Sequence, residues 1–205
     1  EKFNKESHWA LFCENQKNGR GRKGRIWESK KGDLTCSFLI KKKFNLRQLG
    51  RINLILVSIL IDIFKNLGFD QVKFKWPNDI LINTRKISGI LIETNISESS
   101  VNLITIGVGI NINSNFKNKN YSAISLNELG VKVDPLYIFY LIVGNLYNYI
   151  DNFSNNQFNL LSKKLSSSFF DKNSSIKVIV GNQINEGVFK KINSLGELFL
   201  ENNSR

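Results

Sequence analysis

The residues with the clearest chemical character lie in one short stretch, 16–27, which has the sequence QKNGRGRKGRIW. It combines three glycines with several arginine and lysine side chains and ends in a tryptophan. Closely spaced glycines allow positive φ angles and let a ligand approach the backbone, and arginine forks bind carboxylate or phosphate. The stretch therefore predicts an anion-binding loop. Its composition alone also fits a solvated basic hairpin turn.

The three glycines, Gly19, Gly21 and Gly24, match the spacing G-x-G-x-x-G of dinucleotide-binding folds. In those folds a helix begins at the glycines, and its N-terminus meets the pyrophosphate. Here turn-forming residues follow, and then a strand-like apolar segment at 34–40. The sequence also lacks a G-x-x-x-x-G-K-S/T segment. Both of these nucleotide-binding motifs are therefore excluded.

Two further segments have residue types that could take part in binding or catalysis. They are the corner 75–79 (KWPND) and the strand-like segment 106–111, which contains Gly107 and Gly109. The two glycines are two positions apart, so they lie on the same face of a strand. Glycine within a strand often marks close ligand approach, but a bulge or a bend explains the pair equally well. Cations and exposed backbone without acid–base pairs fit carboxylate activation by a nucleotide. Lys75 and the loop arginines would then screen the repulsion between the carboxylate and the triphosphate.

The composition limits the functional classes. The 205 residues are 41% hydrophobic, which is enough for a substantial core, and the net charge of +12 indicates an acidic partner or an anionic substrate. Cys13 and Cys36 lie in apolar strand-like segments and His8 is the one histidine, so we expect buried free thiols and no metal cluster. The longest apolar run, 52–64, contains Asp62 and is too short to cross a bilayer. We therefore expect a cytoplasmic protein without a membrane segment.

Periodicity predicts the elements that position these segments. Helices are predicted where apolar residues recur at helical spacing after a capping residue: 46–66, 135–153 and 157–168. Strands are predicted where short apolar or alternating runs lie between turn residues: 9–14, 34–40, 72–76, 80–82, 87–93 and 101–112. Residues 113–127 are predicted to be a loop and 171–175 a linker. Short strands beyond the linker begin a small barrel-like module: 176–180, 184–191 and 197–201.

Together these segments resemble the motifs of biotin–protein ligases, the biotin–[acetyl-CoA-carboxylase] ligase family. The similarity extends over most of the chain in the family's order: 16–27, 75–79, 85–91 (RKISGIL) and 107–111 (GVGIN). It implies an α+β fold with a mixed or antiparallel sheet flanked by helices, as in the class II synthetase-like biotin/lipoate ligases. It also implies a catalytic domain at 1–172 and an incomplete, SH3-like C-terminal β module at 173–205.

The resemblance implies a two-step reaction. Biotin and MgATP give biotinyl-5′-adenylate and pyrophosphate, and a lysine of the biotin carboxyl carrier protein of acetyl-CoA carboxylase then attacks the acyl-adenylate. Lys75 would be catalytic at the biotin carboxylate and α-phosphate, and Arg22 would hold the adenylate until the carrier lysine arrives. The residues implied for biotin binding are Gln16, Gly19, Arg20, Gly21, Arg22, Lys75, Gly89, Gly107 and Gly109.

The residues implied for ATP or adenylate binding are Arg20, Arg22, Trp27, Asn78 and Asn111. Trp27 would pack on adenine, and Asn111 would lie near the phosphates or the metal. Asn78 also fits ordinary turn chemistry after a proline. Lys86 either reaches the nucleotide or is an exposed turn lysine.

Two departures from the family pattern bear on these expectations. The Ser/Thr-Thr-Asn segment that contacts the ureido end of biotin in family members is absent, and the C-terminal module stops earlier than usual. Since the chain also has no Met, we expect it to be trimmed at both ends, with an incomplete biotin pocket. No helix-turn-helix domain precedes the ligase core in this sequence, so DNA binding is not supported.

Three other functions stay open at this point. A lipoate–protein ligase or octanoyltransferase has the same fold, and a basic nucleic-acid-binding protein would account for the charge. A pseudo-ligase would bind nucleotide without turnover. The stretch 16–27 and the corner 75–79 favour biotin. An exposed sheet edge would also allow a homodimer.

Overall fold

The computed structural model describes residues 8–41, 44–97, 100–116, 122–152, 154–172 and 174–201. The strands in these residues are β1 (His8–Cys13), β2 (Gly19–Arg20), β3 (Ile26–Trp27), β4 (Leu34–Ile40), β5 (Phe44–Asn45), β6 (Val72–Lys75), β7 (Asp79–Ile82), β8 (Arg85–Ser97), β9 (Ser100–Ile110), β10 (Ser175–Val180), β11 (Gln183–Ile192) and β12 (Leu198–Glu201). The helices are α1 (Leu49–Asn66), α2 (Pro135–Asn152) and α3 (Asn155–Ser167). Short 3₁₀ turns occur at Arg22–Gly24, Leu46–Gln48 and Asn127–Leu129.

The main sheet has the order β1–β4–β9–β8–β7–β6, and neighbouring strands run antiparallel throughout. β5 adds a short pairing to β9. One face of this sheet packs on the helices, with α1 against β6, β7 and β8 and α2 against β1 and β4. Apolar residues of β4 and α1 fill this interface, and Leu34, Phe38 and Leu56 are fully buried. The architecture confirms the α+β fold with an antiparallel sheet flanked by helices.

The strand registers align one residue from each strand in a row across the main sheet: Cys13, Thr35, Gly109, Gly89, Asp79 and Lys75. A second row runs beside it: Leu11, Ser37, Gly107 and Leu91. Directly paired residues of antiparallel strands project to the same side. The alternate residues of β4, including Leu34 and Phe38, face the helices. Both rows therefore lie on the opposite side, which we call the open face.

The small C-terminal sheet, β10–β11–β12, packs against α3 and the corner 75–79. Phe169 and Phe189 stack with ring centroids 3.7 Å apart, and the indole N–H of Trp76 donates to the carbonyl of Gly196 at 3.0 Å. The predicted boundary between 172 and 173 falls between α3 and β10. The division into two domains stays a prediction.

Two helices begin at residues other than the predicted ones, because local hydrogen bonds at their N-termini determine where the helical turns start. α3 begins at Asn155, two residues early, since Ser154 and Gln157 form a reciprocal capping box. α1 begins at Leu49, since Leu46–Gln48 form a 3₁₀ turn in which the Gln48 side chain accepts the backbone N–H of Asn45 at 2.9 Å.

Some predicted bounds lie outside the described residues. They are residue 153 at the end of the second helix, residue 173 in the linker, and 117–121 in the predicted loop. Within the described part of the chain, no helix is long and apolar enough to span a membrane.

Two helical glycines test the packing of the small sheet on α1. A Cβ at Gly50 would overlap the carbonyl oxygen of Leu195, so we expect Gly50→Ala to lower the free energy of unfolding by about 1–3 kcal/mol. Gly144 in α2 has no atom within 4 Å of such a Cβ, so Gly144→Ala should raise it by about 0.5–1 kcal/mol. Urea unfolding measures both changes, and effects of equal sign would contradict the contact.

Candidate active site

A cavity of about 300 Å³ lies on the open face, between the main sheet and residues 16–27, which we call the Gly/Arg loop. Its floor comes from β4, β8 and β9. Nine of the predicted site residues line this cavity: Gln16, Arg20, Gly21, Arg22, Trp27, Asn78, Gly89, Gly107 and Gly109. Gly19, Lys75 and Asn111 are not among the lining residues.

The Gly/Arg loop is a short hairpin folded over the sheet. β2 pairs with β3 through Gly19 opposite Trp27, and the 3₁₀ turn between them includes Lys23 and Gly24 at φ values of 55° and 72°. The buried Gly19 cannot carry a side chain, because its Cβ would overlap the carbonyl oxygen of Trp27. No α-helix begins at these glycines, which confirms the exclusion of the dinucleotide-binding motif. The loop is thus a hairpin, but it is not simply a solvated turn, because Arg20 and Arg22 line the cavity.

Trp27 lies against the backbone of the open face at two paired glycines, Gly89 and Gly109. A Cβ at Gly109 would be less than 3.0 Å from Cε2, Cζ2 and Nε1 of the indole, and a Cβ at Gly89 would be 3.2 Å from Cζ3. The ladder is regular at Gly107 and Gly109, so a bulge does not account for these glycines. The Trp27 Nε1–H is buried and has no hydrogen-bond partner among the described residues. A buried unpaired donor beside a cavity indicates a place for a ligand acceptor.

Lys86 projects into the cavity. Its Nζ lies 2.7 Å from Asp79 Oδ1 and 5.3 Å from the centre of the Trp27 ring. Its side chain is only 32% exposed, and its backbone is fixed by hydrogen bonds with Ser122 and Ile124. The interpretation of Lys86 as an exposed turn lysine is therefore wrong. The spacing in the sequence could not reveal this, because the β8 register determines where the side chain points.

Two arginines of the Gly/Arg loop have partners outside the loop, one on β8 and one in the corner 75–79. Arg20 pairs with Glu93 at 3.1 Å, and Arg22 donates to the side-chain oxygen of Asn78 at 3.0 Å. Asn78 is itself fixed, since its amide donates to the carbonyl of Ile90 at 2.8 Å. Glu93 lines the cavity and is not among the predicted site residues. The signal that could have found it is the alternation of β8, which puts Gly89, Leu91 and Glu93 on one face.

Lys75 lies at the β6 edge of the same row as Gly89 and Gly109. It is exposed, and its Nζ lies 5.9 Å from the centre of the Phe170 ring, outside the cavity lining. Phe170 is held beside β6 because its N–H donates to the carbonyl of Phe74 at 2.9 Å. Lys75 thus shares the open face with the cavity, and its side chain contacts an aromatic ring in this conformation.

Asn111 is buried beneath the site. Its side-chain amide donates to the carbonyls of Lys86 and Ile124 at 3.2 and 3.1 Å. These bonds tie the residue that follows β9 to the start of β8 and to the segment at Ile124. In this structure Asn111 supports the backbone of Lys86.

A second, smaller cavity of about 240 Å³ lies on the other side of the loop. One wall comes from 26–30, the other from 114–116, and Gln16 and Trp27 line both cavities. Trp27 therefore separates two neighbouring spaces. The sequence predicts only a loop for 113–127, without a ligand wall.

Both cysteines are free and line the first cavity. Cys13 is half-buried, whereas the expectation was a buried thiol, and Cys36 is buried. Burial raises the pKa of the Cys36 thiol far above its usual range. Burial, with a smaller contribution from Cys36, also raises the pKa of Tyr147 to about 12. A thiol with a raised pKa is a poor nucleophile at neutral pH.

The glycine floor gives a test that needs no ligand. We expect Gly109→Ala to displace the indole of Trp27, because the new Cβ would overlap it. In the matched variant Gly107→Ala, the nearest atom to the new Cβ is Leu91 Cβ at 3.8 Å, an ordinary van der Waals distance. This variant should therefore leave Trp27 in place.

In a background with Trp9→Phe and Trp76→Phe, Trp27 is the sole fluorophore of its type. Its emission should shift to longer wavelength in Gly109→Ala alone. The same emission in all three proteins would contradict the contact of Trp27 with the glycine pair.

Sequence comparisons place these features among known proteins. The model of the Biotin/lipoate A/B protein ligase family matches residues 2–111. The Bifunctional ligase/repressor BirA of Escherichia coli (strain K12) is 27% identical over 196 residues, which cover 94% of this chain and 61% of that protein. The Biotin--[acetyl-CoA-carboxylase] ligase of Paracoccus denitrificans is 31% identical over 106 residues, 49% of this chain and 42% of that protein. The chain thus spans less than two thirds of the length of these curated relatives.

Solved structures show the same architecture. The biotin protein ligase from Aquifex aeolicus in complex with biotin and ATP is similar with a TM-score of 0.72 and 26% identity, over 95% of this chain and 82% of that chain. The biotin protein ligase from Leishmania major in complex with biotin has a TM-score of 0.65 and 24% identity, over 94% and 83% of the two chains. The second likeness, at this identity, concerns the fold alone.

Proposed function

Since the chain belongs to the biotin/lipoate A/B protein ligase family, we propose that it is an ATP-dependent biotin–protein ligase. In the first step, the biotin carboxylate attacks the α-phosphorus of ATP, a carboxyl–phosphate bond forms, and pyrophosphate leaves. In the second step, a lysine amine of a biotin carboxyl carrier protein attacks the acyl carbon, an amide forms, and AMP leaves. The names of the relatives from Escherichia coli and Paracoccus denitrificans, and the Aquifex aeolicus complex with biotin and ATP, support this choice.

The observation that carries the proposal is the position of Trp27 between two cavities. We assign biotin to the 300 Å³ cavity, whose volume is at the lower end for small-molecule sites. The adenine ring is assigned to the 240 Å³ cavity, against the other side of Trp27. This division supports the predicted contact between Trp27 and adenine, and the glycine pair beneath Trp27 allows the two ligands to lie close together.

The cations of the site account for the chemistry. A carboxylate and a triphosphate repel each other, so a site that joins them must supply positive charge where they meet. Arg20, Arg22 and Lys86 line the biotin cavity, and each has a hydrogen-bonded or ionic partner that orients it. In the proposal Arg22 holds the adenylate until the acceptor lysine attacks. Gln16, Gly19 and Gly21 shape the loop around both ligands.

Lys75 is proposed as the catalytic cation at the carboxylate and α-phosphate. It shares a row with Gly89, about two strand spacings or ~10 Å away, and its side chain can turn from Phe170 toward the anions. A contact between a cation and one aromatic face at an exposed site contributes only ~0.5–1 kcal/mol, so this turn costs little. Asn78 would hold Arg22, and Asn111 would hold the backbone of Lys86 below the phosphates.

Mg²⁺ is proposed to arrive with the ATP phosphates. The described residues contain no group of three or more His, Cys, Asp or Glu side chains suited to a metal ion. Glu93, which lines the cavity, is paired with Arg20, and Asp79, which lies next to it, is paired with Lys86. Mg²⁺ usually keeps several waters and binds one or two carboxylates together with substrate phosphates. The donor set therefore fits a metal that the nucleotide carries.

The thiols argue against an acyl transferase that works without nucleotide. Such an enzyme needs a nucleophile to carry the acyl group, and burial raises the pKa of the Cys36 thiol. Cys13 is half-buried, and its Sγ donates to the carbonyl of Asn15 at 3.3 Å. A lipoate ligase would use the same cations, so the choice of acid is left to the assay.

ATP–pyrophosphate exchange with biotin, lipoate or no acid tests the first step. We expect exchange only with biotin, and a fall of about 10²–10³-fold in Lys75→Ala, since a cation at the developing charge is lost. Lys73→Ala is the matched control, because Lys73 lies two residues away on the same face of β6 and outside the cavity lining. Exchange with lipoate alone would change the substrate, and no exchange with either acid would reject the ligase proposal.

The partners are also proposals. The carrier protein follows from the second step, and a homodimer would form through β1, one of the two edge strands of the main sheet in the described residues. Leu11 and Trp9 are exposed on this strand. We expect Leu11→Lys to shift sedimentation toward the monomer, because a charge at an apolar contact opposes pairing. The matched control is Leu160→Lys on α3, which is equally exposed, and identical sedimentation of all proteins would reject β1 as the interface.

A further inference from the structure

Asp33 is a buried carboxylate that the proposed reaction does not use. It is 2% exposed and follows the Gly/Arg loop by six residues, just before β4. A carboxylate in such a position is stable only when hydrogen bonds satisfy it. The bonds that Asp33 accepts therefore define which parts of the chain it holds.

One oxygen of Asp33 binds the chain that leaves β9. Oδ1 accepts the backbone N–H groups of Ile112, Asn113 and Ser114 at 2.9, 2.8 and 3.0 Å. These residues continue directly from the glycine strand of the cavity floor. Three donors on one oxygen fix the direction in which this segment departs from the sheet.

The other oxygen binds the chain that leaves Trp27. Oδ2 accepts the backbone N–H of Lys30 at 2.8 Å and the hydroxyl of Ser114. A further bond, from the Asn113 side-chain amide to the carbonyl of Lys31 at 3.1 Å, crosses the same junction. One carboxylate thus joins two segments that are about 80 residues apart in sequence.

The two segments are the walls of the second cavity. Glu28, Ser29 and Lys30 form one wall, and Ser114, Asn115 and Phe116 form the other. Asp33 is not itself a lining residue, but it accepts hydrogen bonds from Lys30 in one wall and from Ser114 in the other, so its bonds fix the separation of the walls. The floor of the first cavity, in contrast, is held by the main-sheet ladder, which does not depend on this carboxylate.

We propose that Asp33 is a positioning residue for the nucleotide: it holds the two walls of the second cavity and thereby sets the affinity for ATP but not for biotin. This inference rests on the proposed function, because it takes the second cavity as the adenine site. Charge-assisted bonds to backbone N–H groups are stronger than neutral ones. The proposal therefore requires the carboxylate and is not satisfied by a side chain of the same size.

Two substitutions separate the two walls. Asp33→Asn keeps an oxygen for Ile112, Asn113 and Ser114 but presents an amide NH₂ to the N–H of Lys30, so it should free the Lys30 wall alone. Asp33→Ala should free both walls. Asp62→Asn is the matched control, because it changes a carboxylate to an amide in an ion pair between α1 and α3, away from both cavities.

The experiment measures ligand binding by calorimetry and backbone protection by hydrogen–deuterium exchange, without turnover. For Asp33→Asn we expect the Kd for ATP to rise about tenfold while the Kd for biotin changes less than twofold, as for loss of one bond to a charged group. Exchange should become faster at 28–31 and stay slow at 112–114. In Asp33→Ala both segments should exchange faster, and Asp62→Asn should match the unmodified protein.

An equal loss of affinity for biotin and ATP would overturn the proposal, as would unchanged exchange at 28–31. If Asp33→Ala does not fold, the ligand affinities and the exchange rates of Asp33→Asn are sufficient to test the proposal. An unmodified protein that binds ATP but fails the pyrophosphate assay would reject the ligase reaction and leave the Asp33 comparison valid. A protein that binds no ATP would reject both.

Discussion

Trp27 can lie on the open face because two hydrogen-bonded neighbours, Gly89 and Gly109, have no side chains. Fully burying a large apolar side chain contributes ~1.5–3 kcal/mol, and the half-buried Trp27 gains a share of this, whereas an exposed ion pair such as Arg20–Glu93 contributes ~0–1 kcal/mol. The fit of the indole on the two glycines is a geometric constraint on the Gly/Arg loop that the ion pair does not provide. It folds the loop over the sheet and, as a consequence, encloses the first cavity and creates the second behind the same ring.

Given this loop position, the cations of the site have partners of different kinds. Lys86 and Arg20 are paired with carboxylates, whereas Arg22 is paired with the neutral amide of Asn78. An incoming anion must compete with Asp79 for Lys86 and with Glu93 for Arg20. Arg22 has no carboxylate competitor among its described bonds. When Arg22 binds a ligand anion, it therefore gives up only a hydrogen bond to a neutral amide oxygen. This difference favours Arg22 as the principal anion contact and supports its proposed role with the adenylate.

The sequence was sufficient where chemistry and spacing are local. The Gly/Arg loop, the glycine pair of β9 and the approximate helices follow from residue types along the chain. It was insufficient where strand register or capping decides the outcome. Glu93 meets Arg20 across 73 positions, and Lys86 faces the cavity only because of the irregular β7–β8 pairing. Asp33, six residues beyond Trp27, looked like ordinary turn chemistry, since its partners near 112–114 are remote in sequence.

The corner 75–79 combines a fixed backbone with an adaptable side chain. Asn53 donates to the carbonyl of Pro77, Trp76 donates to Gly196, and Asn78 exchanges bonds with the backbone of Ile90. Helix α1, the small sheet and β8 therefore each hold one residue of this corner. Lys75, in contrast, has an aromatic contact and a solvent-exposed side chain, which changes rotamer on a picosecond-to-nanosecond timescale. In the proposed reaction, a cation on such a frame responds to the arriving carboxylate and phosphate without a backbone change and acts where both negative charges are present.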